Sequence, residues 1–439
     1  MTRLTTLVAV LCAAAAASAQ DTARMEQVIQ SHVSAGTFMG TVLVARDGDV
    51  ILDKAYGMAN VEWDAPNTPT TKFRLGSITK QFTAAAILLL EERGKLKLDD
   101  RVKSHLPDSP MAWDRITVFN LLTHTAGIPN FTASPDYNTI KLSPRSADAA
   151  VTSFRDRPLD FGPGEQMSYS NSGYLVLGAI IEKVTGQTYE KFVADNLFAP
   201  AGMTDSGYDS NSAIIKRRAS GYVRTPAGYT NAGYLHMSIP HAAGALYSTS
   251  HDLLKWEQAL FAGRLVSKAS LDRMITPFKN DYALGVTSSL VNGRRVIAHG
   301  GGIDGFNTHL AYYPDSRTVV IVLSNVNGTV PGTLAGQLGA LMHGGSVTLT
   351  TERTAITVPA AALARYVGAY ELSPNAVMTI TLEGDGLMAQ LTGQGRLPIF
   401  PQSETLFFVR VVDAQIEFAP DAGSLVLHQN GRSTKAVRR

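Results

Sequence analysis

The stretch "FRLGSITKQFTAAAILLLEERG", Phe73 to Gly94, places a serine and a lysine three residues apart at the head of a long apolar segment. From Ser77 to Glu92 the spacing predicts a helix that is apolar on nearly all sides and ends at Gly94, which is the pattern of a buried helix. Lys80 therefore leaves the first turn of a buried element, where an isolated ammonium is costly and must be paired or neutral. Ser77 at a helix start has its backbone N–H among unpaired donors suited to an oxyanion. A hydroxyl there also serves as a helix cap, although the Glu or Gln of a capping box is replaced by Lys80. On this segment alone, nucleophile and cap remain two open readings.

Further along, "GPGEQMSYSNSGY" carries Tyr169-Ser170-Asn171 just before a predicted helix. A tyrosine beside a cation can relay a proton, and an asparagine amide can hold a lysine or a substrate carbonyl. Tyr229 and Asn231 in "GYTNAG" form a competing match, but in a glycine-rich stretch less suited to holding geometry. In "RRVIAHGGGIDGF", His299 is expected to end a strand, and the glycines after it let backbone approach a ligand. The second His-Gly-Gly, at His343, falls in the last turn of a predicted helix and reads as a dipole-complementing, C-capping feature.

Around these motifs, "TVLVARDGDVILDKAYG" reads as a hairpin turning at Asp47-Gly48, and the Tyr282–Asn325 region as about three more strands. Helices and loops dominate between residues 100 and 280. The expectation is an α/β domain, with one antiparallel sheet built from both ends of the segment, flanking helices and an inserted helical subdomain, and a cleft between sheet and insert. The last eighty or so residues are short alternating segments separated by turn residues, the pattern of a small all-β barrel or sandwich. The divisions expected are a signal peptide at 1–19, a hydrolase domain at 20–345, a threonine-rich linker at 346–360 and the barrel at 361–439.

The remaining bounds come from composition. The chain has 439 residues, 45% hydrophobic and 17% charged, with a formal charge of +2; no charge run points to nucleic acid or an anionic membrane. Arg3, the uncharged run Leu4 to Ala17 and the small-x-small Ala17-Ser18-Ala19 read as a secretory signal, so the protein is expected to be exported, periplasmic or secreted, without a transmembrane anchor. The single cysteine, Cys12, lies in that segment; removal leaves no thiol for disulfides, catalysis or metal binding. Neither H-E-x-x-H nor G-x-S-x-G occurs.

Taken together, S-x-x-K at Ser77–Lys80, Y-x-N at Tyr169–Asn171 and H-x-G at His299–Gly301, in that order and with flanks such as "NLLTHTAGIPN" and "AGALYSTSHDLLKW", resemble the serine hydrolases related to class C β-lactamases, penicillin-binding DD-peptidases, D-aminopeptidases and the esterases allied to them. The resemblance spans roughly Thr22 to Gly344. It implies Ser77 as the acylated nucleophile, Lys80 and Tyr169 as its activating pair, Asn171 orienting lysine and substrate, and His299 with Gly301 on the cleft strand. The backbone N–H groups of Ser77 and Gly302 would form the oxyanion hole. It implies no metal or organic cofactor. Where class C β-lactamases carry Lys-Thr-Gly, this chain has His-Gly-Gly, closer to the D-aminopeptidase and esterase branches. The barrel resembles the lipocalin-like appendage of some peptidases in the group. The reading is an acyl-serine amidase, peptidase or esterase on a small-molecule or peptide substrate, with D-residues among the candidates. Its alternatives are a weak β-lactamase or DD-peptidase on cell-wall peptides, or a non-turnover sensor of peptides or β-lactams.

Overall fold

A computed structural model describes residues 21–410, 413–429 and 432–439; the expected signal segment and Cys12 lie outside them. The chain divides into two compact units, 1–342 and 343–439. Among the described residues no helix is long and apolar enough to cross a membrane.

In the first unit, the sheet is antiparallel and six-stranded. Its order runs Thr287–Val291, Arg294–Ile303, Phe306–Tyr313, Thr318–Ser324, Gly40–Arg46, Asp49–Tyr56. The early hairpin thus pairs with the last strand, Val42 opposite Val322, as expected of a sheet assembled from both ends. Four late strands form rather than about three: the hairpin expected at Asn292-Gly293, both at positive φ, and the one turning at Pro314–Ser316 contribute two strands each. The Thr318–Ser324 strand is buried at every position, since helices Ser250–Phe261 and Val330–Met342 both pack against it.

The Thr79–Glu92 helix buries all but three of its fourteen residues. It packs against Asn171–Thr185 and the short helix His241–Gly244. Its neighbour Trp256 lies 4.0 Å from the Phe82 ring and bonds Gln81 Oε1 at 3.1 Å, so the helix that carries the lysine is fixed from several sides.

In the second unit, eight antiparallel strands in consecutive order close into a barrel, Gly368–Ser373 pairing with Arg432–Arg438. The first seven correspond to the alternating segments of the sequence. The last, "RSTKAVR", escapes pattern reading because Ala436 is its one fully buried apolar side chain among hydroxyls and bases. Tyr366, Tyr370, Phe407 and Phe418 fill the barrel interior, with Tyr366 and Phe418 stacked at 4.2 Å. Part of the threonine-rich stretch belongs to this unit: Ile356 N–H bonds Pro401 C=O at 2.8 Å and Arg353 pairs with Asp413 at 2.6 Å.

Candidate active site

The approach to Ser77 is set by a glycine. Gly76 has φ +55°, and a Cβ there would sit 2.8 Å from Gly302 N, so only glycine lets this loop lie against the Arg294–Ile303 strand. Ser77 follows in a 3₁₀ turn, Gly76–Ile78, ahead of the Thr79–Glu92 helix. The helix receives no side-chain cap. The Ser77 hydroxyl is engaged elsewhere: Lys80 Nζ is 3.0 Å from its Oγ.

Lys80 is fully buried. Its Nζ donates to Asn171 Oδ1 and to Ala243 C=O, each at 2.8 Å. Both partners are pure acceptors. Ser77 Oγ takes the third position around Nζ, where it accepts an N–H of the ammonium or, once a proton is lost, faces the lone pair of the amine. Burial holds the Lys80 pKa well below the usual lysine value. A lysine whose burial favours the uncharged form thus stands beside a hydroxyl.

Tyr169 sits in the loop before the Asn171–Thr185 helix, its ring 4.9 Å from Lys80 Nζ. The residue is 37% exposed, yet its phenol end lies among Lys80, Ser77 and His124. Burial pushes its pKa up, and a hydrogen bond with Ser77 opposes that shift. Asn171 opens the helix; its amide N–H groups reach Thr132 Oγ1 at 3.3 Å and Asn130 Oδ1 at 3.4 Å, which orients Oδ1 toward Lys80.

His299 departs from its expected placement. It does not end a strand: the ladder runs on through Gly300–Gly302 to Ile303, opposite Phe306–His309, because the glycines keep their strand partners. Nδ1 donates to Gly300 C=O at 2.6 Å, and Nε2 accepts from Tyr282 O–H at 3.0 Å. Burial is the largest cause that lowers its pKa, to about 3. Burial thus works against the partial charge near neutrality that histidine ordinarily carries. A Cβ on Gly301 would fall 1.9 Å from Leu75 C=O, so this glycine is what allows the strand to touch the turn bearing Ser77. Gly302 lines the cavity at Ser77, about 240 Å³, together with Asn171, Phe131, Leu235 and Asp304. Asp304 is paired with Lys141 at 2.8 Å.

The competing pair is engaged elsewhere: Tyr229 O–H donates to Gly36 C=O at 2.8 Å, and Asn231 Nδ2 to Glu62 at 2.7 Å. His343 follows the Val330–Met342 helix, as expected of a terminal histidine.

Motif reading missed His124, in "NLLTHTAGIPN". It is 2% exposed with φ +56°, a conformation uncommon for a residue other than glycine. Its C=O accepts Ser168 N–H at 2.9 Å and its Nδ1 accepts Ser170 N–H at 3.2 Å, so one residue grips the backbone on both sides of Tyr169. Its ring lies 4.2 Å from the Tyr169 ring and 4.7 Å from that of Tyr282. Nε2 carries the remaining proton and meets no partner. The available signal was a histidine inside a flank already matched to the motif set. Among the described residues no group of three or more His, Cys, Asp or Glu converges to hold a metal.

Comparison with known proteins places this geometry in context. Residues 25–341 match the family model described as Beta-lactamase, and residues 352–428 match the domain of unknown function DUF3471. Penicillin-binding protein 4* of Bacillus subtilis (strain 168) is 32% identical, across 91% of this chain and 95% of that protein. The octameric penicillin-binding protein homologue from Pyrococcus abyssi superposes with TM-score 0.69 at 25% identity, over 94% of this chain and 99% of the other. D-amino acid amidase from Ochrobactrum anthropi SV3 does so with TM-score 0.63 at 25% identity, over 70% and 92%.

Proposed function

The chain belongs to the β-lactamase family and is a serine hydrolase, and we propose that it is exported and cleaves amides or esters through an acyl enzyme on Ser77. The observation that carries this is the contact of Lys80 Nζ with Ser77 Oγ at 3.0 Å, made by a buried lysine whose other two contacts are pure acceptors. Lys80 takes the hydroxyl proton as Ser77 Oγ attacks the carbonyl carbon. The backbone N–H groups of Ser77 and Gly302 receive the oxyanion. Tyr169, its pKa raised and hydrogen-bonded to Ser77, passes a proton to the leaving amine or alcohol. Water then hydrolyses the ester by the reverse use of the same groups. Asn171 fixes Lys80, and Gly301 fixes the distance between strand and turn.

The substrate class follows from the third motif. His299 is neutral and already hydrogen-bonded at both nitrogens, so it supplies no cation for a free carboxylate. This favours amide and ester substrates over β-lactams and C-terminal D-Ala-D-Ala peptides. The amidase neighbour makes D-aminoacyl amides the first compounds to try. A hydrolysis panel of p-nitrophenyl esters, D- and L-aminoacyl anilides, nitrocefin and a D-Ala-D-Ala peptide tests the reading. Turnover of esters or D-aminoacyl anilides well above nitrocefin is expected; nitrocefin as the best substrate would sink it. With His299 uncharged, the ratio of activity on carboxylate-bearing and neutral esters should not break near pH 6.5.

A further inference from the structure

At the far end of the sheet from Ser77 lies a second cavity, of about 300 Å³. Asn307, at the catalytic end of the Phe306–Tyr313 strand, pairs with Gly302, whereas Tyr312, at the other end of the same strand and in the wall of this second cavity, pairs with Val319 on the neighbouring strand. The five residue steps from Asn307 to Tyr312 span roughly 17 Å of strand. None of the residues lining one cavity lines the other. The walls here are Leu254, Phe261, Tyr312 and Val319, with Phe261 and Tyr312 stacked at 3.8 Å.

Into these walls the Ser250–Phe261 helix brings Glu257, 3% exposed. Its Oε2 is shut off from solvent and meets no hydrogen-bond partner. The other deeply buried carboxylates among the described residues are treated differently: Asp209 is held by Arg74 and Arg218, and Asp252 by Lys255. The charged groups facing the cavity are Asp47 and Arg317, from the two turns packed against the helix, and they pair with each other. Tyr312 is the one other titratable group in the walls. With Asp47 and Arg317 cancelling, the cavity holds one carboxyl and no cation for it.

We propose that this cavity is a binding site for a small primary amine with an apolar or aromatic body, whose ammonium pairs with the Glu257 carboxylate. The body would replace water against Phe261, Tyr312 and Val319, and the ammonium would supply the charge that the buried carboxyl lacks. Without a ligand, burial alone raises the Glu257 pKa to about 8, so the group is mostly protonated at neutral pH. Binding of an ammonium releases that proton to solvent. Affinity therefore rises about tenfold per pH unit below pH 8 and levels off above it.

The test is calorimetric titration of the Ser77→Ala protein with phenethylamine, against its neutral counterpart phenethyl alcohol, in two buffers of different ionisation enthalpy at pH 6, 7 and 8. The proposal expects saturable amine binding, release of nearly one proton per amine at pH 6, and binding of the alcohol at least tenfold weaker at pH 8. Glu257→Gln should remove both the proton release and the preference for amine. Since that variant changes a buried group, its thermal unfolding is followed alongside, and the amine–alcohol comparison in the Glu257-containing protein stands if it fails to fold. Equal binding of amine and alcohol, binding without proton release, or amine binding that persists in Glu257→Gln would overturn the proposal. The site does not depend on the reaction at Ser77, so the two can fail separately.

Discussion

At the scale of single residues, the account rests on how Lys80 divides its contacts. In its uncharged form two acceptors would take both N–H bonds, leaving the lone pair for Ser77, 3.0 Å away. Lys80→Arg keeps a charge that cannot be lost, and acylation should slow by about 10²–10⁴-fold, the usual range for a general base. With the native lysine, acylation should rise with pH and reach its plateau below lysine's ordinary value of 10.5, because the folded pKa is lowered. His124 acts one step back. His124→Phe keeps the ring against Tyr169 but deletes the Nδ1 acceptor for Ser170. We expect kcat to fall by about 10–100-fold, as for a misplaced catalytic group, with KM little changed; His124→Asn should recover part of the loss if its amide oxygen reaches Ser170 N–H. A fall in KM and kcat together, tracking lost stability, would make His124 merely structural. That Ser77, Lys80 and Tyr169 would meet was legible in the sequence, because burial and order constrain them. His124 was not, since its left-handed backbone and its grip on Ser168 and Ser170 exist only once the loops have met.

Among elements, the decisive contact is between the turn before the lysine helix and the strand that carries His299. Gly76 and Gly301 permit it from opposite sides, and Thr308 Oγ1 donates to Leu75 C=O at 2.7 Å to close it. Gly301→Ala would put a methyl 1.9 Å from that carbonyl and 2.2 Å from the threonine oxygen. It should cost about 1–3 kcal/mol or more in denaturant unfolding, and lower kcat further by shifting Ser77 against Gly302. The glycine run in the sequence signalled close approach, but not what approaches. It was also read as the end of a strand, since nothing local shows that Gly300–Gly302 keep ladder partners. Those partners lie beyond the Ile303–Phe306 turn.

On the scale of the whole molecule, each unit has its own core. Tyr370, fully buried in the barrel with its O–H on Tyr366 C=O at 3.0 Å, is a handle on one unit alone. Tyr370→Ala should destabilise the barrel by about 3–5 kcal/mol and split or shift one unfolding transition, while Ser77 acylation in the folded protein keeps its rate; a parallel loss of acylation would tie the barrel to the chemistry. The barrel was legible as short alternating segments, yet its closure depends on the eighth strand, whose polar sequence carries little signal. The aromatic filling of its interior likewise appears only when Tyr366, Phe407 and Phe418 are brought together by closure. The central claim is that Ser77 is the nucleophile and Lys80 its base, and it is tested most directly by intact and peptide mass spectrometry after brief exposure to a fluorophosphonate probe. The account predicts one adduct per chain, on Ser77, absent in Ser77→Ala and formed far more slowly in Lys80→Arg. An adduct on another residue, or labelling of Lys80→Arg at the native rate, would contradict it.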